Sequence, residues 1–217
     1  VGVLDEEQEK EVFGRIRTTT RIEEAGGNAD LVIEAVTENQ AVKKEVFTVL
    51  DKVCPPRTIL ASNTSYMDIF KFVETGRPEK VLITHWFAPP HIVPLVEVVR
   101  GPETAQDTVD AVEALLVRIG KKPIVLSKFL PGFIANRLQS ALTNEMLFLI
   151  DNGYATPADI DNATKASFGF RMPILGVAKK VDLAGVDQIQ RSIRNGLYRP
   201  PPPRQHSEIM DRLVSQG

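Results

Sequence analysis

A chain of 217 residues can form one large domain or two small ones, and it is long enough to bury a sizeable core. Its composition, 43% hydrophobic and 25% charged residues, is that of an ordinary globular protein. The formal net charge of −2 argues against a strong non-specific attraction to nucleic acid or to an anionic membrane surface.

The usual marks of secretion and of membrane insertion are not found in the sequence. No apolar stretch approaches the roughly 20 residues that a spanning helix needs, and the N-terminal segment is too charged and polar for a signal peptide. Cys54 is the single cysteine, so no internal disulfide can form. We therefore expect a protein of the cytoplasm or of an organelle matrix (mitochondrion or peroxisome), and not a secreted one.

The hydrophobic pattern predicts strands that alternate with helices. Short apolar runs predict buried strands at 31–36, 58–61, 81–85, 95–99 and 123–127. Helical spacing predicts helices at 38–53, 65–75 and 105–119. Alternation of this kind is typical of an α/β domain with a parallel sheet. From Pro131 onward the signals are helical, with helices predicted at 132–152 and 157–167, so we expect two domains, residues 1–129 and 130–217.

The most informative stretch is residues 81–99, VLITHWFAPPHIVPLVEVV. His85 ends its first apolar run, and Glu97 lies inside its second. A charged residue in a buried strand is costly unless it is paired, and the nearest plausible partner is the imidazole of His85. A carboxylate that holds one imidazole nitrogen leaves the other free to act as a general base. The alternative is that His85 is a hydrogen-bonded structural residue and Glu97 faces solvent.

A dinucleotide-binding sheet normally begins with a strand and a Gly-rich turn that approaches the pyrophosphate. No G-x-G-x-x-G occurs in this chain, and the doublet Gly26-Gly27 precedes a predicted strand instead of following one. Either the chain is not a dinucleotide-binding fold, or the first half of that fold is missing.

Four segments, in this order and at these intervals, closely resemble the 3-hydroxyacyl-CoA dehydrogenase family. They are ADLVIEAVTEN (29–39), SNTS (62–65), HWFAPP (85–90) with LVEVVRGPET (95–104), and PGFIANR (131–137). The resemblance covers residues 18–187, most of the chain. It implies a partial Rossmann-like parallel sheet that binds NAD, followed by an all-α C-terminal domain that supplies a wall of the substrate cleft and the contact of a homodimer.

The resemblance also implies the reaction, which is oxidation of the L-3-hydroxyl group of an acyl-CoA to a ketone, a step of fatty-acid beta-oxidation. NAD is the implied cofactor, and no metal is implied. The implied catalytic residues are His85 as base, Glu97 as its orienting partner, and Asn136 and Ser65 as donors to the reacting oxygen. The implied cofactor-binding residues are Glu38, Lys43, Asn63 and Ser65.

Several of these residues could instead have ordinary structural roles if the motifs are ignored. Ser65 could be a helix cap, and Asn136 could be an ordinary polar residue on a helix. Glu38 and Lys43 could form the solvated first turn of a helix. Trp86 and Phe87 are expected beside the base, as core or as cleft wall, whereas His91 and His206 are expected at the surface.

The chain departs from the family pattern in three places. The usual H-F-F-N-P is HWFAP here, so Ala88 stands where an asparagine normally lies near the nicotinamide. Residues 171–187 match loosely, and the PPHIVPLVEVV stretch also resembles the L-gulonate dehydrogenase (λ-crystallin) branch, which acts on small hydroxy acids. The Gly-rich turn and the family's C-terminal K-T-G-x-G-F-Y segment are absent.

These departures leave three hypotheses open. The first is an NAD-dependent L-3-hydroxyacyl-CoA dehydrogenase. The second is a dehydrogenase of a free hydroxy acid or of a carnitine-like compound. The third is a truncated, catalytically silent structural relative. From the missing segments we expect a fragment that binds NAD poorly and leaves apolar edges of its sheet exposed.

Overall fold

The computed structural model describes residues 4–196, 199–204 and 206–216, and the chain divides into two compact units, 1–134 and 135–217. The first unit contains a five-stranded sheet. Its strands are β1 (Leu31–Glu34), β2 (Ile59–Ser62), β3 (Val81–Trp86), β4 (Leu95–Arg100) and β5 (Lys122–Leu126). Its helices are α1 (Glu6–Gly14), α2 (Ile22–Gly26), α3 (Gln40–Val53) and α4 (Gln106–Arg118), with 3-10 turns at Ile69–Lys71 and Pro78–Lys80.

The sheet is Rossmann-like, as predicted, but it is mixed. The strands lie in the order β1-β2-β3-β4-β5, and three neighbouring pairs are parallel. The pair β3/β4 is antiparallel, so the prediction of a parallel sheet does not hold for this pair. A parallel connection needs a crossover of about a dozen residues or more, usually a helix. The bend at 87–94 is too short for such a crossover, and it contains no helix.

One helix covers each face of the sheet. Phe47 and Leu50 of α3 pack on one face, in a cluster that includes Ile83 of β3. Val109 and Val112 of α4 belong to the cluster on the opposite face. Side chains alternate between the two faces along a strand, and each apolar side chain that is fully buried contributes about 1.5–3 kcal/mol.

This alternation corrects the expected position of Trp86. The side chain of Trp86 packs against the α4-side cluster, together with Leu82. His85, one residue earlier in β3, projects to the α3 side. Trp86 therefore belongs to the core on the face away from His85.

The outer edge of β1 leaves apolar side chains exposed, as expected. Within the described residues β1 is an edge strand, and Ile33 and Val36 are exposed beside it. A groove of about 380 Å³ runs between this strand and α2, where Ile22 and Ala25 form part of its lining.

The helix predicted at 65–75 is not formed; the segment contains only the short 3-10 turn Ile69–Lys71. The hydroxyl oxygen of Thr64 accepts a hydrogen bond from the Met67 amide, and the Ser65 amide donates to Glu38. Local bonds of this kind compete with helix formation, and they leave Ser65 without a helix to cap.

The second unit is helical throughout its described residues. Its helices are α5 (Ala135–Asp151), α6 (Pro157–Ala166), α7 (Phe168–Leu175), α8 (Val177–Ala184), α9 (Val186–Asn195) and α10 (Glu208–Gln216). The helix predicted from residue 132 begins at Ala135, because Gly132 and Phe133 have φ angles of +76° and +48°. Within the described residues, no helix is both long and apolar enough to cross a bilayer.

Candidate active site

The carboxyl ends of β1, β2 and β3 meet at one edge of the sheet, because these strands are parallel. Glu34 ends β1, Ser62 ends β2, and His85 is the next-to-last residue of β3. The antiparallel strand β4 brings Glu97 to the same edge, where it is the register partner of His85. In open α/β sheets, ligands bind outside this edge.

His85 and Glu97 form a buried hydrogen-bonded pair. The Nδ1 atom of His85 lies 2.9 Å from Oε2 of Glu97. Only 4% of His85 and 1% of Glu97 are exposed. The backbone amide of Ile134 donates to the other carboxylate oxygen, Oε1, at 2.9 Å. Because Nδ1 is engaged by Glu97, Nε2 is the ring nitrogen left for proton transfer.

Aromatic rings surround the imidazole. The ring centroid of Phe87 lies 4.6 Å from that of His85, in a T-shaped arrangement. Phe133 lies 5.1 Å away and in turn contacts Phe129 at 5.9 Å. Phe87 thus lies beside His85, as the sequence indicated. The enclosure is apolar, so a charge that develops on the imidazole depends on the Glu97 carboxylate for compensation.

A buried ion pair lies at the same edge. The Nζ atom of Lys43 lies 2.8 Å from Oε1 of Glu34 and 3.3 Å from Oε2 of Glu38. Lys43 is 1% exposed, so its interpretation as part of a solvated helical turn was wrong. Glu34 also accepts hydrogen bonds from the Ser62 hydroxyl at 2.6 Å and from the Val36 amide at 2.7 Å.

Sequence reasoning missed Glu34. The available signal was the same as for Glu97, a lone carboxylate inside an apolar strand. Such a residue demands a buried partner. That partner lies nine positions later, on a different element, and no local pattern marks it.

Glu38 is bound by the loop that follows β2. Its carboxylate accepts hydrogen bonds from the Ser65 amide at 2.7 Å and from the Thr64 hydroxyl at 2.8 Å. Partial burial opposes ionisation of Glu38, but these two donors and the charge of Lys43 outweigh it, so the pKa of Glu38 lies below its ordinary value. The same loop is tied to β3, where the Trp86 amide donates to Oδ1 of Asn63 at 2.8 Å.

The structure therefore brings six of the seven predicted site residues to one edge of the first unit. They are Glu38, Lys43, Asn63, Ser65, His85 and Glu97. Asn136 is the second residue of α5 and belongs to the second unit. His91 and His206 are exposed, as predicted, and His206 pairs with Asp211. Cys54 is a buried free thiol.

The site thus consists of a buried histidine–carboxylate pair and a buried lysine–glutamate pair at the carboxyl edge of a Rossmann-like sheet, the edge at which such sheets bind ligands. Family comparison gives the class more closely. The 3-hydroxyacyl-CoA dehydrogenase NAD binding domain matches residues 1–129, and the 3-hydroxyacyl-CoA dehydrogenase C-terminal domain matches residues 132–217. The chain belongs to the 3-hydroxyacyl-CoA dehydrogenase family, whose members are NAD-dependent oxidoreductases.

Relatives of known name differ in substrate. A probable 3-hydroxybutyryl-CoA dehydrogenase of Bacillus subtilis (strain 168) is 38% identical over 206 residues, which are 93% of this chain and 71% of the relative. The 5-formyl-3-hydroxy-2-methylpyridine 4-carboxylate 5-dehydrogenase of Mesorhizobium japonicum is 37% identical over 185 residues, 85% of this chain. This chain spans only 60% of that second relative.

Solved structures agree with this assignment. The crystal structure of (S)-3-hydroxybutyryl-CoA dehydrogenase from Ralstonia eutropha matches with a TM-score of 0.74 at 32% identity, and the match covers 99% of this chain and 75% of that one. The structure of 5-formyl-3-hydroxy-2-methylpyridine 4-carboxylic acid 5-dehydrogenase matches with a TM-score of 0.82 at 33% identity, and it covers 94% of this chain and 66% of that one.

Proposed function

We propose that the protein oxidises the L-3-hydroxyl group of an acyl-CoA to a ketone. The observation that carries this proposal is the buried pair of His85 and Glu97, in which Nδ1 is held by the carboxylate and Nε2 is left as a base. NAD supplies the hydride acceptor when it is bound. His85 takes the hydroxyl proton at Nε2, and Glu97 stabilises the imidazolium that results.

Two further side chains are proposed as donors to the substrate oxygen. Ser65 carries a hydroxyl on the loop after β2, at the same edge as His85. Asn136 supplies an amide near the start of α5. Donors that point at an oxygen whose charge changes during reaction lower the barrier more than they strengthen substrate binding.

The polar residues at this edge suit a dinucleotide. The side chain of Glu38 is 41% exposed and its pKa is lowered, so it presents an ionised carboxylate to which ribose hydroxyls can donate. Asn63 and Ser65 add polar groups from the adjoining loop. Lys43 enters this proposal through Glu38, because its ammonium group pairs with that carboxylate at 3.3 Å.

We propose that the two domains have the roles that the family resemblance implies. Residues 1–129 would hold the cofactor, and residues 130–217 would complete the substrate cleft and form the contact of a homodimer. An acyl-CoA is the proposed substrate, a step of beta-oxidation is the proposed context, and the cytoplasm or an organelle matrix is the proposed place. The Bacillus subtilis relative, named as a 3-hydroxybutyryl-CoA dehydrogenase, supports a short acyl chain.

The test is NADH formation from L-3-hydroxybutyryl-CoA. It should be run with this chain and with a version that carries a Gly-rich strand–turn–helix of the dinucleotide-binding type at its N-terminus, since no G-x-G-x-x-G occurs here. We expect NADH formation by the unsubstituted protein. The substitution His85→Ala should abolish it. The control His91→Ala, at an exposed histidine, should retain it. Folded protein without turnover in either version would contradict the proposal and favour a non-catalytic role.

A second candidate substrate class is a free hydroxy acid. Two observations favour it: the PPHIVPLVEVV stretch resembles the L-gulonate dehydrogenase branch, and an L-carnitine dehydrogenase of Burkholderia mallei is 37% identical over 172 residues. The same assay with free L-3-hydroxybutyrate and with L-carnitine distinguishes the two classes. Turnover that does not need the CoA thioester would select the hydroxy acid.

A further inference from the structure

Phe133 has an unusual backbone conformation for a bulky buried residue. Its φ angle is +48°, and the residue before it, Gly132, has a φ of +76°. Glycine adopts such angles freely, whereas a phenylalanine pays for them in steric strain. Strain of this kind persists only where the surroundings enforce it, and it is concentrated at functional sites.

The side chain of Phe133 is enclosed beside the base. It is fully buried, and its ring lies 5.1 Å from the His85 ring on one side and 5.9 Å from the Phe129 ring on the other. Together with Phe87 at 4.6 Å, Phe133 confines the plane of the imidazole. Aromatic pairs of this geometry prefer defined mutual orientations, so the ring resists rotation of His85.

The left-handed backbone of Phe133 has a second consequence, for Glu97. The next amide along the chain, that of Ile134, donates to Oε1 of Glu97 at 2.9 Å. A change of φ from +48° to the helical value would be a rotation of about 110° that turns this amide away. The turn before it is closed by the Phe133 amide, which donates to the Leu130 carbonyl at 2.9 Å.

From these contacts we infer that Phe133 is a positioning residue for the base. Its ring fixes the imidazole of His85, and its left-handed backbone aims the Ile134 amide at Glu97, so that one residue orients both members of the pair. The inference deepens the proposed dehydrogenase function and rests on it for its kinetic consequence. The part of the inference that concerns the orientation of His85 and of the Ile134 amide does not depend on turnover.

The test compares two identical substitutions in the same core. Phe133→Leu removes the ring beside His85 and keeps an apolar side chain. Phe47→Leu makes the same change at another fully buried phenylalanine of the same cluster, on α3. Each variant is made in this chain and in the version with the Gly-rich extension. The readouts are the NMR signals of the Ile134 amide and the His85 ring nitrogens, thermal unfolding, kcat and KM.

The two variants should lose comparable thermal stability. Phe133→Leu should also shift the Ile134 amide and His85 ring signals, and Glu97→Gln should shift the same amide. The kcat of Phe133→Leu should fall roughly ten- to a hundredfold while KM changes little, because a small misplacement of a base costs rate more than affinity. Phe47→Leu should leave these signals and kcat unchanged.

Two results would overturn the inference: NMR signals of Ile134 and His85 that respond no more to Phe133→Leu than to Phe47→Leu, or an unchanged kcat for Phe133→Leu in an active protein. If the unsubstituted protein has no turnover in either version, the proposed function fails by itself. The NMR comparison then decides the role of Phe133 alone.

Discussion

The Nδ1 atom of His85 and the Oε2 atom of Glu97 lie 2.9 Å apart, and the two residues are register partners in the antiparallel pair β3/β4. Directly opposed residues of an antiparallel pair place their side chains on the same face of the sheet. The distance between the His85 imidazole and the Glu97 carboxylate is therefore set by the sheet itself. A site built on strands holds its geometry more closely than one built on loops.

The first prediction concerns the charge of Glu97. Glu97→Gln keeps the shape of the side chain but removes the charge that stabilises an imidazolium at His85. We expect kcat to fall roughly 10²–10⁴-fold, the usual contribution of general acid–base catalysis. Steady-state NADH formation measures the loss, and thermal unfolding shows whether the fold is kept. Glu103→Gln, at an exposed glutamate, is the control. An equal kcat for Glu97→Gln and Glu103→Gln would show that the pair of His85 and Glu97 has only a structural role.

The second prediction concerns the buried ion pair of Lys43 and Glu34. Lys43→Met should lower the free energy of unfolding by roughly 3–5 kcal/mol, because it leaves a buried carboxylate without its counter-charge. The two side chains are 1% and 0% exposed. Chemical denaturation measures the change.

The neighbouring lysine provides a matched control for this experiment. Lys44 pairs with Glu74 at 2.7 Å, but the two side chains are 46% and 80% exposed. Lys44→Met should therefore cost less than about 1 kcal/mol. The double variant Glu34→Gln with Lys43→Met should recover part of the loss, because no buried charge is left unpaired. Equal costs for the two lysines would disprove the argument from burial.

The third prediction concerns Arg77, which holds the end of α3. Its guanidinium group lies 3.0 Å from Oδ1 of Asp51 and donates to the carbonyls of Asp51, Cys54 and Pro55. Arg77→Met should cost roughly 1–3 kcal/mol, since it leaves carbonyls at the helix end unsatisfied. The control Arg57→Met removes an exposed pair with Asp30 and should cost under about 1 kcal/mol. Thermal or urea unfolding measures both, and similar losses would exclude a capping role.

The fourth prediction concerns the pH dependence that Glu38 contributes. Its folded-state pKa lies below the ordinary value of 4.5, so Glu38 stabilises the fold at neutral pH. That contribution is lost as the pH falls below 4.5 and through the folded-state pKa. The difference in unfolding free energy between the unsubstituted protein and Glu38→Gln should therefore shrink on acidification.

A second variant tests whether the hydrogen bond from Thr64 lowers the pKa of Glu38. Thr64→Val removes a hydroxyl that donates to Glu38 at 2.8 Å, so the pKa of Glu38 should rise toward its ordinary value. The loss of stability on acidification should then be smaller and should be complete at a higher pH. Urea unfolding across the acidic range, with and without the substitution, provides the comparison. A difference that does not vary with pH would mean that these hydrogen bonds do not favour the ionised form.

Much of this molecule is readable from local patterns. The apolar runs mark all five strands, and the spacing of Val42, Val46 and Leu50 marks α3, because burial on one face leaves a period in the sequence. The family is also readable locally, because the residues around His85 and Glu97 lie in short sequence segments that occur in a fixed order.

Local patterns were misleading where the outcome depends on a partner elsewhere. The segment 65–75 has helical spacing, but hydrogen bonds from Thr64 and Ser65 to Glu38 hold its first residues in another conformation. A parallel sheet was predicted, but the short bend at 87–94 allows only an antiparallel return between β3 and β4.

By itself the sequence determined the family, the two-part organisation of α/β followed by α, and the pairing of His85 with Glu97. The tertiary structure alone decided that Lys43 is buried against Glu34, that Trp86 packs away from the base, and that Phe133 and the Ile134 amide close around the pair. The physical reason is that periodicity records which face of an element is buried, whereas the identity of a buried partner depends on contacts between residues that lie far apart in the chain.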